Sequence, residues 1–383
     1  MEVLKIKEFT EVITGGTPST SKDEYWINGE IPWLNSGELQ QDIITSTNNY
    51  ITDLGLKNSS TRLMPPDSVL IALTGTTTGK VGYLTFEACA NQSVTGILPS
   101  KKHFPKYLYY YLNSIRQKVM HDAYGGAQPH ISQGYVKEIS IPLPPLPEQK
   151  KIAAILDAAD ELRQKDKALV EKYNELTQAL FLDMFGDPFE NPKGWKWTTI
   201  KEITQLVKGI TYSPKDVSNN GIIVLRSSNV QNSLLDLKDL VHLSKKVNEN
   251  FYVKKNDILM CNRNGSSHLV GKVAKIPELN ENMTFGTFMT IVRSQFHNYL
   301  FHYFQTKAFR MQIKMQTSVA INQISLPLLE SVRLPLPPTE IQDLFEKRVT
   351  VIEKQKSIAQ ASAQKSEELF NSLLQKAFNG NLI

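Results

Sequence analysis

Two stretches of this chain, 193 residues apart, share one design and limit its fold more than any other feature. Pro142-Leu-Pro-Pro145 recurs as Pro335-Leu-Pro-Pro338. Each leads into a run free of Pro and Gly, the first from Glu148 to Phe185-Gly186 and the second from Thr339 to Phe378-Asn-Gly380. Proline cannot sit inside a helix, yet Pro147 suits a first helical turn. Thr339 with Gln342 fits a capping box. Each run therefore reads as one helix, roughly 55 Å long at 1.5 Å per residue. In the first, Ile152, Ile155, Ala159, Leu162, Leu169, Tyr173, Leu176 and Leu180 alternate at spacings of three and four, with Asp166 the polar member of the seam. A seam kept over four heptads predicts a coiled coil rather than a generic amphipathic helix. Asp166 either fixes register or stands as a solvated gap. A bare helix of this length needs a partner, and the second copy is the candidate, although its middle offers only Ile358, Ala359, Ala361 and Ala363.

The repeat extends beyond the helices. Ile6-Lys-Glu-Phe-Thr10, then Gly15, matches Ile200-Lys-Glu-Ile-Thr204, then Gly209. Asp67-Ser-Val-Leu70 matches Asp257-Ile-Leu-Met260, and Gly79-Lys-Val-Gly82 matches Gly271-Lys-Val-Ala274. A nearly constant register across the whole half means tandem duplication. The expected fold class is α+β: two tandem, mixed but mainly β domains, each followed by a long helix, with the two helices in an antiparallel coiled coil. The boundaries are 1–141, 142–186, 187–334 and 335–383. Short apolar runs such as Val69-Leu-Ile-Ala-Leu73 and Ile258-Leu-Met-Cys261 predict strands. Tyr107-Leu-Tyr-Tyr-Tyr-Leu112 and Tyr299-Leu-Phe-His-Tyr-Phe304 predict short aromatic helices, read as core rather than as stacking platforms.

Charge is uneven. Residues 1–186 carry 18 Lys and Arg against 21 Asp and Glu, and residues 187–383 carry 25 against 17. This bias permits nucleic-acid binding without demonstrating it. Cys89 and Cys261 belong to no C-x-x-C pair, which excludes a zinc ribbon or a dithiol redox site, and they read as core thiols of a cytoplasmic protein. No signal-peptide pattern opens the chain, and no apolar run nears the ~20 residues that span a membrane.

No catalytic pattern survives inspection. Thr74-Gly-Thr-Thr-Thr-Gly79-Lys80-Val81 invites a phosphate-loop reading, but its glycine interval is one residue short and Val81 cannot replace the magnesium-binding hydroxyl. The seven histidines show no metal-ligand spacing. There is neither a nucleophile elbow nor a dinucleotide fingerprint. The expectation is a non-catalytic chain with no cofactor and no metal.

The loops carry the residue types that grip phosphates and read base edges. In the first half these are Asn35, Ser36, Thr74, Thr76, Thr77, Thr78, Lys80, Gln128 and His130. In the second they are Arg226, Ser227, Ser228, Asn229, Arg263, Asn264, Ser266, Ser267, His268, Lys272, Asn322 and Gln323. Polar loops can also be mere turns. The frame repeats whereas the tips differ, as in Thr-Thr-Thr against Ser-Ser-His, which suggests two related readers with two targets.

The double Pro-Leu-Pro-Pro helix start, Ile141-Pro-Leu-Pro-Pro-Leu-Pro-Glu-Gln149, Thr74-Gly-Thr-Thr-Thr-Gly-Lys-Val-Gly82 and Gly194-Trp195-x-Trp197 together resemble the specificity subunit of type I restriction-modification systems. The resemblance covers essentially the whole chain. It implies two target-recognition domains that read the halves of a bipartite, asymmetric sequence in double-stranded DNA. It also implies helices that dock two methyltransferase subunits, with restriction (translocase-nuclease) subunits joining that core, no catalytic residue in this chain, and a role in phage defence. Helix length would then set the unread spacer. The alternative is a two-domain coiled-coil scaffold without a DNA role.

Overall fold

The computed structural model describes residues 2–126, 128–315, 323–380 and 382. The chain divides into two compact units, Met1–Leu169 with Ala359–Ile383, and Val170–Ile358. The division cuts each long helix, so each unit holds a segment of both.

In the first unit, Glu2–Lys5 pairs antiparallel with Ser140–Leu143, the strand that leads into the long helix. A five-stranded sheet follows, in the order Val12–Thr14, Val94–Ile97, Val69–Ala72, Val81–Leu84, Ile43–Ile44. A smaller sheet sets Ile31–Leu34 parallel to Cys89–Ala90. The second unit repeats the plan. Lys196–Thr199 pairs with Arg333–Leu336. Its main sheet runs Gln205–Lys208, Met289–Arg293, Ile258–Cys261, Val273–Lys275, and Ile222–Leu225 lies parallel to Met283–Phe285. The predicted duplication is thus present in strand order as well as in sequence.

Two repeated glycines follow from backbone geometry. A Cβ on Gly15 would lie 2.1 Å from the Ala90 carbonyl oxygen, and one on Gly209 would lie 2.0 Å from that of Gly286, so only glycine fits where these chains meet. Gly79 and Gly271 hold φ of +72° and +79°, which other residues adopt only with strain. The Gly-Lys pairs that suggested a phosphate loop are therefore turn chemistry.

The aromatic helices are core. Pro105–Ser114 buries Tyr107 and Tyr110, and His297–Tyr303 buries Tyr299 and Tyr303. Their hydroxyls hold the proline strands: Tyr107 donates to the Pro142 carbonyl at 2.7 Å, and Tyr299 to that of Pro335 at 2.5 Å. Main-chain carbonyls away from water need a donor, and here the tyrosine hydroxyls supply it.

The long helices are Leu146–Phe185 and Thr339–Phe378, 40 residues each. Gln149 donates its side-chain amide to the Pro144 carbonyl at 2.7 Å, and Gln342 to that of Pro337 at 2.8 Å. The backbone N–H of Gln342 bonds the Pro338 carbonyl rather than Thr339, so this arrangement replaces the capping box expected there. Trp195 Nε1 donates to the Phe185 carbonyl at 2.9 Å and satisfies the end of the first helix.

The expected seam needs correction. Ile152 and Ala159 are buried and Tyr173 and Leu180 half-buried, but Ile155, Leu162, Leu169 and Leu176 are exposed. The buried stripe instead runs through Ala153, Leu156, Asp160, Thr177, Phe181 and Phe185. In the first unit Arg163 pairs with Asp160, reaches Glu367 at 3.2 Å and lies 4.5 Å over the Phe370 ring. Asp166 accepts from the Ser362 hydroxyl at 3.0 Å. In the second unit Phe185 and Phe181 sit 4.8 and 5.8 Å from Phe345, ring centre to ring centre. The stripe follows helix geometry and includes an ion pair, which a count of apolar residues cannot see.

Candidate nucleic-acid interface

The predicted loops gather at one kind of place in each unit, where the two central strands Val69–Ala72 and Ile258–Cys261 end. In the first unit the Leu73 carbonyl accepts from Ile131 N–H at 2.9 Å, and Thr74 bridges His130. In the second, the Asn262 carbonyl accepts from Ile324 N–H at 2.8 Å, and Arg263 bridges Gln323. One structural bond is thus preserved by the duplication, with different side chains set upon it. Residues far apart in sequence, 74–80 with 128–130 and 263–268 with 323, come together on that bond. Asn322 lies outside the described residues.

Not every predicted reader faces outward. Thr78 is fully buried, and its hydroxyl hydrogen is shared between the Gly75 and Pro129 carbonyls at 2.8 and 2.7 Å. Asn229 is 1% exposed, and its amide donates to the Asp236 and Asp239 carbonyls, both at 2.9 Å. Both frame the loops, a correction to the contacting role expected of them. Asn35 is a helix cap whose Oδ1 accepts from Gly37 N–H at 2.9 Å, with Ser36 opening the turn it caps. Thr77 bonds its own loop at the Thr74 carbonyl. Lys272 donates to the Val230 carbonyl at 2.8 Å, and burial lowers its pKa from the ordinary value. Thr76, Gln128, Ser228, Arg263, Ser266, Ser267, His268 and Gln323 are exposed. Asn264 links the two loops of its unit through Ser227 at 3.4 Å.

Two cations are held by acids absent from the sequence-based set. Lys80 Nζ lies 2.6 Å from Asp42, and Arg226 Nη2 lies 2.8 Å from Asp239. Each pair tethers a loop across to its neighbour. Among the described residues no group of His, Cys, Asp and Glu could hold a metal ion, and no helix is long and apolar enough to cross a membrane. Cys89 and Cys261 are free and buried, and burial pushes the Cys89 thiol up to about 11.

The family model described as type I restriction modification DNA specificity domain matches residues 1–172 and again 192–367. The chain belongs to that family. The match falls once on each half of the chain. A type I restriction enzyme specificity subunit (MjaIX) from Methanocaldococcus jannaschii is 29% identical over 243 residues, which are 56% of this chain and 54% of that relative. The chain thus spans about half the length of this relative. A second from the same organism (MjaVIII) is 22% identical over 404 residues, 100% of this chain and 92% of the other. Among solved structures, the S subunit of a type I restriction-modification system from M. genitalium superposes with a TM-score of 0.58 at 17% identity, covering 98% of this chain and 96% of that one. At that identity the likeness shows the fold.

Within this specificity-domain frame, sequence reasoning missed Tyr124 and Phe288. Both are exposed aromatics beside the loop clusters. They occupy different loops of the two units and are 164 residues apart, so the repeat register could not pair them.

Proposed function

We propose that this chain is the specificity subunit of a type I restriction-modification complex, and that each unit reads one half of a bipartite, asymmetric sequence in double-stranded DNA. The observation that carries this is the repeated bridge, Thr74 on His130 and Arg263 on Gln323, one frame presenting two chemistries. The readers are Asn35, Ser36, Thr74, Thr76, Thr77, Lys80, Gln128 and His130 in one unit. In the other they are Arg226, Ser227, Ser228, Arg263, Asn264, Ser266, Ser267, His268, Lys272 and Gln323. The two long helices pair antiparallel. This is supported by Arg163 meeting Glu367 while Asp166 meets Ser362, so that rising numbers on one helix face falling numbers on the other. The exposed row Ile155, Leu162, Leu169 and Leu176, at a constant spacing of seven, is a seam left uncovered among the described residues. It serves to dock methyltransferase subunits, two per chain, with restriction subunits joining them. Modification and cleavage reside in those partners.

The deciding experiment replaces residues 1–141 with the corresponding segment of another specificity subunit and maps methylated sites in cells carrying the partner subunits. One half of the target is expected to change and the other to persist. A change in both halves would refute independent readers. A second reading, a scaffold without a DNA role, requires binding that does not fall steeply with salt.

The acid–cation pairs give a further expected result. Asp42→Asn and Asp239→Asn release Lys80 and Arg226 from their partners, at 2.6 and 2.8 Å. Each variant complex should bind a non-target duplex several-fold more tightly near 50 mM salt. Its log–log salt slope should steepen by about one, the value for one added phosphate contact. Titrations at four salt concentrations measure this, and an unchanged slope would show that these cations do not reach phosphate.

A further inference from the structure

We infer that Phe288 and Tyr124 are specificity-determining residues, each placing an aromatic ring against the bases of the half-site read by its own unit. The inference rests on the function proposed above and adds a contact mode that the polar loops do not supply. Phe288 lies in the turn before the Met289–Arg293 strand and is 52% exposed. Its position is fixed by its backbone: its carbonyl accepts the N–H groups of Asn262 at 2.8 Å and Arg263 at 3.3 Å. The Arg263 guanidinium lies 5.2 Å over its ring, and Arg263 bridges Gln323.

The first unit reaches a similar arrangement from another loop. Tyr124 is 62% exposed. Its backbone exchanges hydrogen bonds with His130 at 3.1 and 2.7 Å, and its ring meets the His130 ring edge-on at 5.0 Å. His130 in turn bridges Thr74. In both units, then, an exposed ring is tied by its main chain to a residue of the repeated bridge.

A single exposed aromatic on a surface needs no explanation. Two rings from non-equivalent loops, each clamped beside the same bridge, call for one. A rigid ring loses little conformational freedom on contact, and aromatic or apolar side chains read the thymine methyl group or wedge between base steps. The Arg263 guanidinium lies 5.2 Å from the Phe288 ring centre, a closeness that suits a paired arginine–guanine and ring–neighbouring-base contact.

The test uses the full chain expressed with its methyltransferase subunits and a plasmid library carrying degenerate sequence, with methylation mapped at base resolution. Phe288→Ala should lower modification about tenfold and broaden base choice at one half of the target only. Tyr124→Ala should do the same at the other half. Phe288→Tyr and Tyr124→Phe keep the ring and should keep the wild-type map. Alanine variants with wild-type maps would overturn the inference alone, as would ring-preserving variants that broaden the target as much as alanine. A wild-type complex that modifies no defined sequence would overturn the underlying function and the inference with it.

Discussion

Phe345→Ala is expected to destabilise the chain by about 3–5 kcal/mol, the range for deleting a fully buried phenylalanine. Phe345 is 1% exposed. Its ring centre lies 4.8 Å from Phe185, 5.8 Å from Phe181 and 5.1 Å from His302. Phe185 in turn meets Tyr299 at 5.0 Å, and Tyr299 holds the Pro335 carbonyl. Removing one ring therefore opens a cavity that stiff, mutually contacting aromatics cannot collapse to fill. Two to four degrees per kcal/mol is usual for a unit of this size, so the melting temperature should fall by roughly 10 °C. The neighbour Leu344 is 42% exposed, and Leu344→Ala should cost less than about 1 kcal/mol. Calorimetry on both variants separates packing from helix propensity, since alanine is the better helix former at either position. Equal losses would mean that the ring cluster does not hold this helix segment.

How far the sequence revealed this arrangement depends on which residues carried the signal. The duplication was legible because glycine and proline positions answer to backbone geometry alone: Gly15 and Gly209 each admit no Cβ, and each Pro-Leu-Pro-Pro leaves carbonyls that a tyrosine must satisfy. The helix seam was legible only in period. Ile155, Leu162, Leu169 and Leu176 formed the better heptad row, yet the chain buries the row beside it, where Asp160 and Arg163 neutralise one another and Arg163 covers Phe370. A hydrophobicity pattern scores those residues as solvent-facing. The loop clusters were legible as composition. Thr78 and Asn229 have the chemistry of readers, but whether a hydroxyl or amide faces outward or bonds a neighbouring carbonyl depends on chain segments such as Pro129 and Asp236 that only folding brings near. Tyr124 and Phe288 were hidden for the converse reason: nothing local distinguishes an aromatic that a turn leaves outside from one that it buries.

Mild acid should weaken the first unit through His103. This side chain is 2% exposed, its Nδ1 pairs with the Ser100 hydroxyl at 2.9 Å, and its Nε2 is buried without a partner. Burial pushes its pKa down to about 4, against about 6.5 in an unfolded chain. Between those values the unfolded chain binds a proton that the folded chain refuses, so stability is full above pH 6.5 and drains away as pH falls toward 4. The slope is about 1.4 kcal/mol per pH unit, which gives roughly 3 kcal/mol over the window and no further loss from this group below it. His103→Leu stays neutral at every pH. Between pH 6.5 and 5 the wild type should therefore lose about 2 kcal/mol more than the variant, read as the difference in urea midpoints multiplied by the denaturant slope. The variant retains His302, whose pKa burial pushes down to about 3, so its residual acid sensitivity is the internal reference. Parallel pH profiles for the two proteins would mean that protonated His103 is accommodated, by water at Nε2 or by movement of the Phe9 ring that meets it edge-on at 5.2 Å.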